Sequence, residues 1–392
     1  MRPFLYLLAL GAFAVGMEGL MIAGLLPAIA DHLGVGLSAA GSLVVGFSAV
    51  YAVAAPLAAA LAAPFERRSV LILGMAVFAL GNLACAIAPD FATLVAARLL
   101  TAVAAGLYMP SAMAYAGAAV AAHERGRALG LVGGGITASL VLGVPLGTWI
   151  GTLGGWRWPF VVVAGLAAVA IVGIVLGVPR RPGGAGATIL ERLSVLRRPG
   201  IGRVLATTVL WSCGAFAVYT FIAPVLARSA GIGPDQMPLM MLVWGLAACV
   251  GSVGGGWAVD RFGARGIAVG GILLGGLAMA GLSAVAAMPL AALALMLLWA
   301  VAGWAVNPAQ QARLIAAEPA VAQVSLSFHA SAIYLGSALG SLLGSVVVGT
   351  GGAASLGLVG ALCELAALAI LLPTRRSAIA GRPAPALAPP GE

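Results

Sequence analysis

The 392-residue sequence contains no lysine and few charged residues of any kind. Charged side chains make up only 8% of the chain, whereas hydrophobic residues make up 62%. A soluble domain carries about 25% charged residues, so a soluble globular protein is excluded. The mean hydropathy of +1.12 and the long apolar runs indicate an integral membrane protein instead.

Cysteine is also scarce, because only four are present. All four lie inside apolar runs, with no spacing typical of a metal or redox site, and are interpreted as small buried hydrophobic residues: Cys85, Cys213, Cys249 and Cys363. The chain has no P-loop, no zinc-site pair and no recognisable Ser/His/Asp arrangement. These absences argue against an enzyme, a bound cofactor or metal, and ATP-driven transport.

Apolar runs of about 20 or more residues predict twelve transmembrane helices. The first run resembles a signal peptide at its start, but it continues to about residue 30 and is therefore assigned to a span. The runs do not alternate as membrane β-strands do, so an all-α membrane protein is predicted. The predicted limits are 4–30, 39–63, 69–88, 91–120, 127–152, 158–178, 201–229, 236–258, 265–287, 289–314, 322–348 and 352–373.

Arginine placement predicts the orientation of the chain in the bilayer. With a cytoplasmic N-terminus, seventeen arginines lie in cytoplasmic loops or tails and only Arg157 and Arg228 lie outside. This positive-inside bias predicts a multi-pass protein of the cell (inner) membrane with both termini in the cytoplasm. The pI near 10.3 therefore reflects topology rather than nucleic-acid binding, and a monomer in the lipid bilayer is expected.

The longest loop divides the chain into two similar halves. It predicts an N-terminal six-helix bundle over 1–178, a cytoplasmic linker over 179–200 and a C-terminal six-helix bundle over 201–373. The Pro/Gly-rich segment 374–392 is expected to be a disordered cytoplasmic tail. Three residue pairs lie 197 positions apart in the two halves: Pro27 and Pro224, Gly34 and Gly231, and Arg68 and Arg265.

Glycine stripes recur in the fifth and eleventh spans, at Gly143, Gly147 and Gly151 and at Gly336, Gly340 and Gly344. Such stripes let helix backbones approach closely in lipid. Together with the common offset, they favour duplication over chance. Two pseudo-symmetric six-helix bundles with a substrate path between them are typical of secondary transporters.

Four stretches resemble the major facilitator superfamily, and within it the drug:proton antiporter branch that includes arabinose-efflux-type and chloramphenicol-efflux-type permeases. The stretches are "GMEGLMIAGLLPAIADHLGV" in span 1, "ARLLTAVAAGLYMPSA" in span 4, "LGVPLGTWIGTLGGWRWPF" in span 5 and "GWAVDRFGAR" at 256–265. The resemblance implies rocking of two bundles, a small-molecule substrate and proton exchange. It also implies an antiporter motif at Gly143, Pro145 and Gly147.

The resemblance further implies that spans 1, 4, 7 and 10 line a central cavity. Candidate substrate-contacting residues on these spans are Tyr108, Trp211, Tyr219, Phe221, Trp304, Asn307 and Gln310. Such an apolar, aromatic pocket suits amphiphilic solutes. Individual aromatics on a span are more often packed or lipid-facing, and for Gln310, near a helix end, capping of the helix is the alternative role.

A cytoplasmic gate is implied by the loop motif, which is intact at Asp260, Arg261 and Arg265. The corresponding loop of the first half departs from the pattern, because "AAPFERRSV" has Ala63 and Pro64 where the family has an Asp-Arg pair. Arg67 and Arg68 remain, either as gate residues or as plain positive-inside anchors. Glu66 is a possible substitute for the missing aspartate.

Two charges lie within spans and are not repeated between the halves. The residues 197 positions after Glu18 and Arg98 are Ala215 and Leu295, which are uncharged. The two charges therefore indicate a specialised role for the first half. Ionisable residues within a membrane are costly and commonly functional. Three interpretations stay open: proton coupling, direct binding of a cationic substrate, and a structural ion pair.

Two further titratable residues, His329 and Glu364, lie at similar depths in spans 11 and 12. Their depths permit a contact, although packing roles are favoured over a proton relay. The overall prediction is a proton-coupled exporter of small, drug-like organic molecules. The alternatives are a sugar exporter or uncoupled facilitator of the same fold, followed by a membrane sensor or an intramembrane enzyme.

Overall fold

The computed structural model describes residues 3–184 and 189–372, which form helices with no strand among them. Twelve helices are long and apolar enough to span a membrane, as predicted. They are α1 (Phe4–His32), α2 (Leu37–Leu61), α3 (Arg67–Ile87), α4 (Phe91–Ala118), α5 (Arg125–Gly154), α6 (Trp158–Gly177), α7 (Gly200–Tyr219), α8 (Pro234–Phe262), α9 (Ala264–Ala284), α10 (Pro289–Ala317), α11 (Pro319–Gly349) and α12 (Ala353–Leu371).

Some of the sequence predictions concern residues outside the described ranges. These are the predicted tail 374–392, residues 185–188 of the predicted linker, and four arginines used for the orientation: Arg2, Arg375, Arg376 and Arg382. The described part of the linker contains a short helix, Ile189–Leu196, which we call the linker helix. Each half has six spans, so the start of α1, the linker and the end of α12 share one side, called here the linker side. The opposite side is the far side.

One predicted span is not a continuous helix. The span expected at 201–229 consists of α7, which ends at Tyr219, and a second helix, Ile222–Ala230. The break falls at Phe221, whose φ of −111° and ψ of 32° are not helical. A single continuous span was therefore wrong at this point, because the apolar run carries no signal for a change in backbone angles.

The duplication predicted from the 197-residue offset is visible in the backbone. Gly34 follows α1 and Gly231 follows the helix Ile222–Ala230, and they take φ values of +63° and +66°. Only glycine adopts this left-handed region without a steric penalty. The two halves therefore use the same turn at the same position of the repeat.

The glycine stripes bring equivalent helix pairs together in the two halves. A Cβ atom at Gly143 would lie 2.9 Å from the Cβ of Met17, so α5 packs closely on α1. A Cβ atom at Gly340 would lie 2.1 Å from the carbonyl oxygen of Cys213, so α11 packs closely on α7. A π-helical turn, Ser139–Gly143, interrupts α5 just before Pro145. Such single π turns inside helices are often found at functional positions.

The two bundles meet through α2 with α11 and through α5 with α8. Ser38 donates a hydrogen bond to the carbonyl oxygen of Ser345 (2.7 Å), and this contact lies near the far side. The contacts of α5 with α8 are carried by its far-side portion, from Ser139 to Gly154. The far side is therefore closed by contacts between the two bundles.

The glycine packing predicts unequal effects of the same small substitution. Gly340→Ala places a methyl group against the backbone of α7 and should lower the free energy of unfolding by about 1–3 kcal/mol through overpacking. The matched control is Gly270→Ala in α9, where a Cβ meets nothing within 4 Å. The control should be neutral or stabilising, because alanine is the better helix former. Thermal unfolding midpoints of the purified variants in detergent would test this, and equal midpoints would contradict it.

Candidate functional site

The two intramembrane charges of the first half form an ion pair. Glu18, midway along α1, accepts a hydrogen bond from Arg98 Nη1 of α4 through its Oε1 atom. Both residues are 0% exposed. Thr101 lies one turn after Arg98 and donates a second hydrogen bond to the same Oε1 atom at 2.9 Å. The structure therefore brings together the two residues that the asymmetry of the repeat singled out.

The pair is incompletely satisfied. Among the described residues, no hydrogen-bond partner exists for Glu18 Oε2 or for the Nε and Nη2 atoms of Arg98. Buried charges are stabilised only when their geometry is good and their remaining polar atoms are bonded. This pair thus has spare hydrogen-bonding capacity on both partners, which a fully bonded structural ion pair would not have.

Aromatic rings enclose the ion pair from both halves. The Arg98 guanidinium lies 4.4 Å from the centre of the Phe47 ring of α2, which is a cation–π distance. Tyr51 lies one turn further along α2 and stacks on Tyr334 of α11 with 3.8 Å between ring centres. Phe47 and Tyr334 are 6.3 Å apart. The second bundle therefore contributes to the surroundings of a charge pair that belongs to the first.

Two of the predicted cavity residues lie elsewhere. Tyr108 is fully buried and donates a hydrogen bond to the carbonyl oxygen of Leu8 (2.9 Å), inside the first bundle. Trp211 packs with Ile272, Val306 and Leu368 inside the second bundle. The cavity prediction used only the helix on which a residue lies, whereas the direction of the side chain depends on how that helix is rotated.

Three other predicted aromatics lie near the junction of the bundles. Tyr219 donates a hydrogen bond to the carbonyl oxygen of Leu20 in α1 (3.2 Å). Trp244 of α8, which sequence reasoning missed, lies between Tyr219 and Trp304, with ring centres 4.6 and 6.1 Å away. Phe221 is fully buried at the closed far side, against Gly41 of α2 and Gly344 of α11. Tyr219 and Trp304 thus fit an aromatic wall, whereas Phe221 is part of the far-side contact.

The second bundle contains a buried polar network that includes three predicted residues. His329 Nε2 lies 2.9 Å from Asn307 Oδ1, and His329 Nδ1 lies 3.5 Å from the Thr208 hydroxyl. Gln310 donates to Thr208 Oγ1 (3.1 Å) and accepts from Arg313 (2.5 Å). The network links α7, α10 and α11 on the linker-side half of the bundle. Gln310 is therefore an interhelical residue and not simply a helix cap.

Glu364 does not contact His329. It is buried on α12 against Gly214 of α7 and Gly276 of α9, with Oε2 unbonded among the described residues. The neighbouring Cys363 Sγ lies 3.8 Å from Cys213 Sγ, and both cysteines are free thiols. Their similar predicted depths in the membrane did not bring Glu364 and His329 together, because the two side chains point toward different neighbouring helices.

The linker binds the altered loop of the first half. Glu66 caps the start of α3 and accepts hydrogen bonds from the amides of Arg68 and Ser69, each at 2.9 Å. The Arg181 amide of the linker donates to the same carboxylate (3.2 Å), and the Arg67 amide donates to the Arg181 carbonyl (3.0 Å). Arg68 bonds the carbonyl oxygen of Val175 at the end of α6. Glu66, Arg67 and Arg68 thus connect the start of α3 to the linker and to the end of α6.

The intact motif of the second half makes few polar contacts in this state. Asp260 and Arg261 lie in the last turn of α8, and Asp260 has no ion pair within residues 3–184 and 189–372. The Arg261 guanidinium lies 5.9 Å from the Phe262 ring. Arg265 donates a hydrogen bond to the carbonyl oxygen of Leu372 (2.8 Å). The described parts of the chain also hold no group of three metal-ligating side chains able to bind an ion.

Some residues of the site were not predicted, and only one of them has a local signal in the sequence. Thr101 follows Arg98 by three residues and therefore shares its helix face, which is a local signal. Phe47, Tyr51 and Tyr334 have no such signal, because they reach the pair from α2 and α11. Their proximity follows from how the two bundles pack.

Comparison with known proteins agrees with the geometry. A family model described as the Major Facilitator Superfamily matches residues 8–316. The inner membrane transport protein YdhP of Escherichia coli (strain K12) is 34% identical over 366 residues, which cover 93% of each chain. The chloramphenicol resistance protein of Streptomyces lividans is 35% identical over 269 residues, covering 68% of this chain and 69% of that protein. The chain belongs to the Major Facilitator Superfamily.

The same architecture is present in a solved member of the superfamily. The xylose transporter XylE from E. coli aligns with a TM-score of 0.71 over 92% of this chain and 95% of XylE, at 19% identity. This likeness shows the fold of two six-helix bundles. The family and the fold are those of membrane transporters, which bind small-molecule substrates, and not those of enzymes.

The buried ion pair predicts strongly non-additive mutational effects. Arg98→Ala leaves an unpaired carboxylate in the bundle and should lower the free energy of unfolding by about 3–5 kcal/mol. The double variant Glu18→Leu/Arg98→Met removes both charges and should be close to wild type in stability, because apolar replacement of a buried pair is often neutral or stabilising. Thermal unfolding in detergent measures both, and a double variant less stable than Arg98→Ala would contradict the prediction.

The cap at α3 predicts a pH-dependent contribution to stability. Burial raises the pKa of Glu66, but the Ser69 hydroxyl and the amides of Arg68, Ser69 and Arg181 outweigh it and lower that pKa from 4.5 to about 2. Because the folded-state pKa is depressed, the stabilisation is complete above the unfolded value and is lost as the pH falls through the folded value.

Glu66→Ala should therefore destabilise the protein by about 0.5–2 kcal/mol at pH 7, with a smaller difference from wild type as the pH falls from 5 to 3. The matched control is Glu124→Ala, because Glu124 precedes α5 without forming a side-chain cap. Thermal midpoints measured across this pH range provide the test. A difference that does not depend on pH would show that the carboxylate is not the stabilising group.

Proposed function

We propose that the protein is a secondary active transporter that exports small, drug-like amphiphilic molecules in exchange for protons by alternating access. The observation that carries this proposal is the enclosed Glu18–Arg98 pair, in which one carboxylate oxygen and two guanidinium nitrogens lack partners in the described structure. This pair occurs in only one of two otherwise repeated bundles. A purely architectural ion pair would be expected in both.

The chemistry of the pair supports a protonation switch. An ionised Glu18 is attracted to Arg98, whereas a protonated Glu18 is neutral and loses that attraction. Arginine does not deprotonate in proteins, so it acts as the fixed charge. Loading and unloading one proton at Glu18 therefore changes the strength of the contact between α1 and α4. Moving one charge across the membrane supplies about 2.3 kcal/mol per 100 mV.

The surroundings of the bundle junction support an amphiphilic substrate. Tyr219 and Trp304 supply aromatic surface from α7 and α10, with Trp244 between them. Pockets of this kind suit largely apolar molecules with a few polar groups. The name of the Streptomyces relative, a chloramphenicol resistance protein, is consistent with a drug-like substrate.

In the proposed topology, the protein lies in the inner membrane with its linker side in the cytoplasm. The arginine bias supports this orientation, and the relative YdhP is described as an inner membrane transport protein. The bundles are taken as 1–178 and 201–373, joined by the linker 179–200, in a monomer. Arg67, Arg68, Asp260, Arg261 and Arg265 are proposed to close the cytoplasmic side in the opposite state of the cycle.

A sugar is the second candidate substrate. The polar network around Asn307, Gln310 and His329 offers hydrogen-bonding groups in the second bundle, and sugars are recognised through their hydroxyl groups. This candidate differs from the first in the solute that is transported and leaves the role of Glu18 unchanged.

Transport in proteoliposomes tests the proposal. Wild-type protein with an acidic lumen should accumulate external chloramphenicol as protons leave, whereas xylose uptake should stay at the level of empty liposomes. Glu18→Gln should abolish gradient-driven accumulation, because the amide carries no exchangeable charge. It should retain exchange of labelled for unlabelled chloramphenicol without a gradient.

The matched control is Glu364→Gln, which alters a buried carboxyl group in the other bundle that has no cationic partner within the described residues. This variant should remain gradient-driven. Chloramphenicol flux that is independent of the gradient in every variant would favour an uncoupled facilitator, and accumulation of xylose would favour the sugar exporter.

A further inference from the structure

Three aromatic rings from both bundles lie over the ion pair. We call Phe47 and Tyr51 of α2 together with Tyr334 of α11 the aromatic cover. The Phe47 ring lies 4.4 Å from the Arg98 guanidinium. Tyr51 and Tyr334 stack at 3.8 Å with an angle of 29° between their planes. Tyr334 also lies close enough to Glu18 and Arg98 to interact electrostatically with both.

The tyrosine stack lies nearer the linker side than the Phe47 ring does. Tyr51 follows Phe47 by one helical turn, and α2 runs from the far side to the linker side, so Tyr51 lies nearer the linker side than Phe47. Glu18 and Arg98 beside the stack are 0% exposed. The far side is closed by the contacts of Ser38 and Phe221 with α11. Glu18, Tyr51 and Tyr334 lie 14, 14 and 15 residues from the far-side ends of their helices, so the stack lies level with Glu18 at the interface between the two bundles.

The aromatic cover is also part of the interface between the bundles. Beside it, the hydroxyls of Ser48 in α2 and Ser337 in α11 lie 2.9 Å apart. Ser48 is next to Phe47 in the chain, and Ser337 is one turn from Tyr334. Any movement that separates α2 from α11 at this level must also separate Tyr51 from Tyr334, because the two rings belong to different bundles.

We infer that the Tyr51–Tyr334 stack is a gate that controls access to Glu18 and ties that access to the separation of α2 from α11. The inference rests on the proposed role of Glu18 in proton exchange. The tyrosines are gating residues, since they position and shield the ion pair without exchanging the proton. With the stack closed, water is kept from the carboxyl group. With the stack parted, Glu18 and Arg98 are open to the cavity between the bundles.

The gate is testable by chemical access to Glu18, independently of transport. The full-length protein in lipid nanodiscs is treated with a hydrophobic carbodiimide, and modification at Glu18 is followed over time by mass spectrometry of its peptide. Tyr334→Ala should increase the rate at Glu18 by about tenfold, the factor expected when an aromatic contact worth roughly 1.4 kcal/mol is lost. Tyr334→Phe keeps the ring and should stay within about twofold of wild type.

Two controls separate gating from general loosening. Phe221→Ala weakens the same α2–α11 interface at the far side, and it should leave the rate at Glu18 unchanged. Glu364 is the internal reference, because it is a buried carboxyl group in the second bundle. Its modification rate should be the same in all variants, whereas a misfolded variant would raise the rates at both glutamates.

The outcomes distinguish the gate from the function. An unchanged rate ratio of Glu18 to Glu364 in Tyr334→Ala overturns the gate, whatever the transport assays show. An equal increase in Phe221→Ala also overturns it, because the effect would then belong to the whole interface. A selective increase in Tyr334→Ala supports the gate. Persistence of proton-driven transport in Glu18→Gln would instead refute the proposed function.

Discussion

The low dielectric of the membrane interior is the constraint on which the arrangement of this protein depends. A lone charge there is expensive, so Glu18 and Arg98 are held together even though they come from α1 and α4. Both charges have further stabilising neighbours, because Thr101 donates a hydrogen bond to the carboxylate and the Phe47 ring covers the guanidinium. The pair lies inside the bundle, but within residues 3–184 and 189–372 Glu18 Oε2 and the Nε and Nη2 atoms of Arg98 have no hydrogen-bond partner.

Close packing of small residues makes this geometry possible. Glycines on α5 allow it to lie directly against α1, and glycines on α11 allow it to lie directly against α7. Without a large hydrophobic driving force between helices in lipid, such backbone approach is a main source of association. The repeated stripes build the two bundles in the same way, whereas the charges, which are not repeated, make the bundles chemically different. The structural symmetry and the chemical asymmetry of the bundles are thus carried by separate sets of residues.

The two bundles are connected to the charged site by aromatic contacts. Tyr334 belongs to the second bundle but stacks on Tyr51 of the first, and Tyr219 reaches the backbone of α1. In the proposed mechanism, these contacts are the route by which a change in protonation at Glu18 would affect the relative position of the bundles. The linker adds a further tie, because Arg181 shares the Glu66 carboxylate with the start of α3. The altered loop motif of the first half is therefore an anchoring site for the linker.

Much of the fold was predictable from sequence because membrane insertion acts on local properties. The lengths of apolar runs predicted twelve spans, and a constant offset predicted the duplicated turns at Gly34 and Gly231. Glu18 and Arg98 were recognisable as special because an ionisable residue within an apolar run is conspicuous without any structural information. The break at Phe221 was not predictable, since its neighbours are as apolar as the rest of the span.

The directions in which side chains point could not be predicted from the sequence alone. Tyr108 and Trp211 lie on the expected helices but point into the interiors of their own bundles. His329 and Glu364 lie at similar depths but contact different helices. Helix rotation and bundle packing result from the sum of many weak contacts among distant segments, so no short stretch of the chain encodes them. For that reason the ion pair could be anticipated, whereas the aromatic rings that enclose it became visible only when the two bundles were seen together.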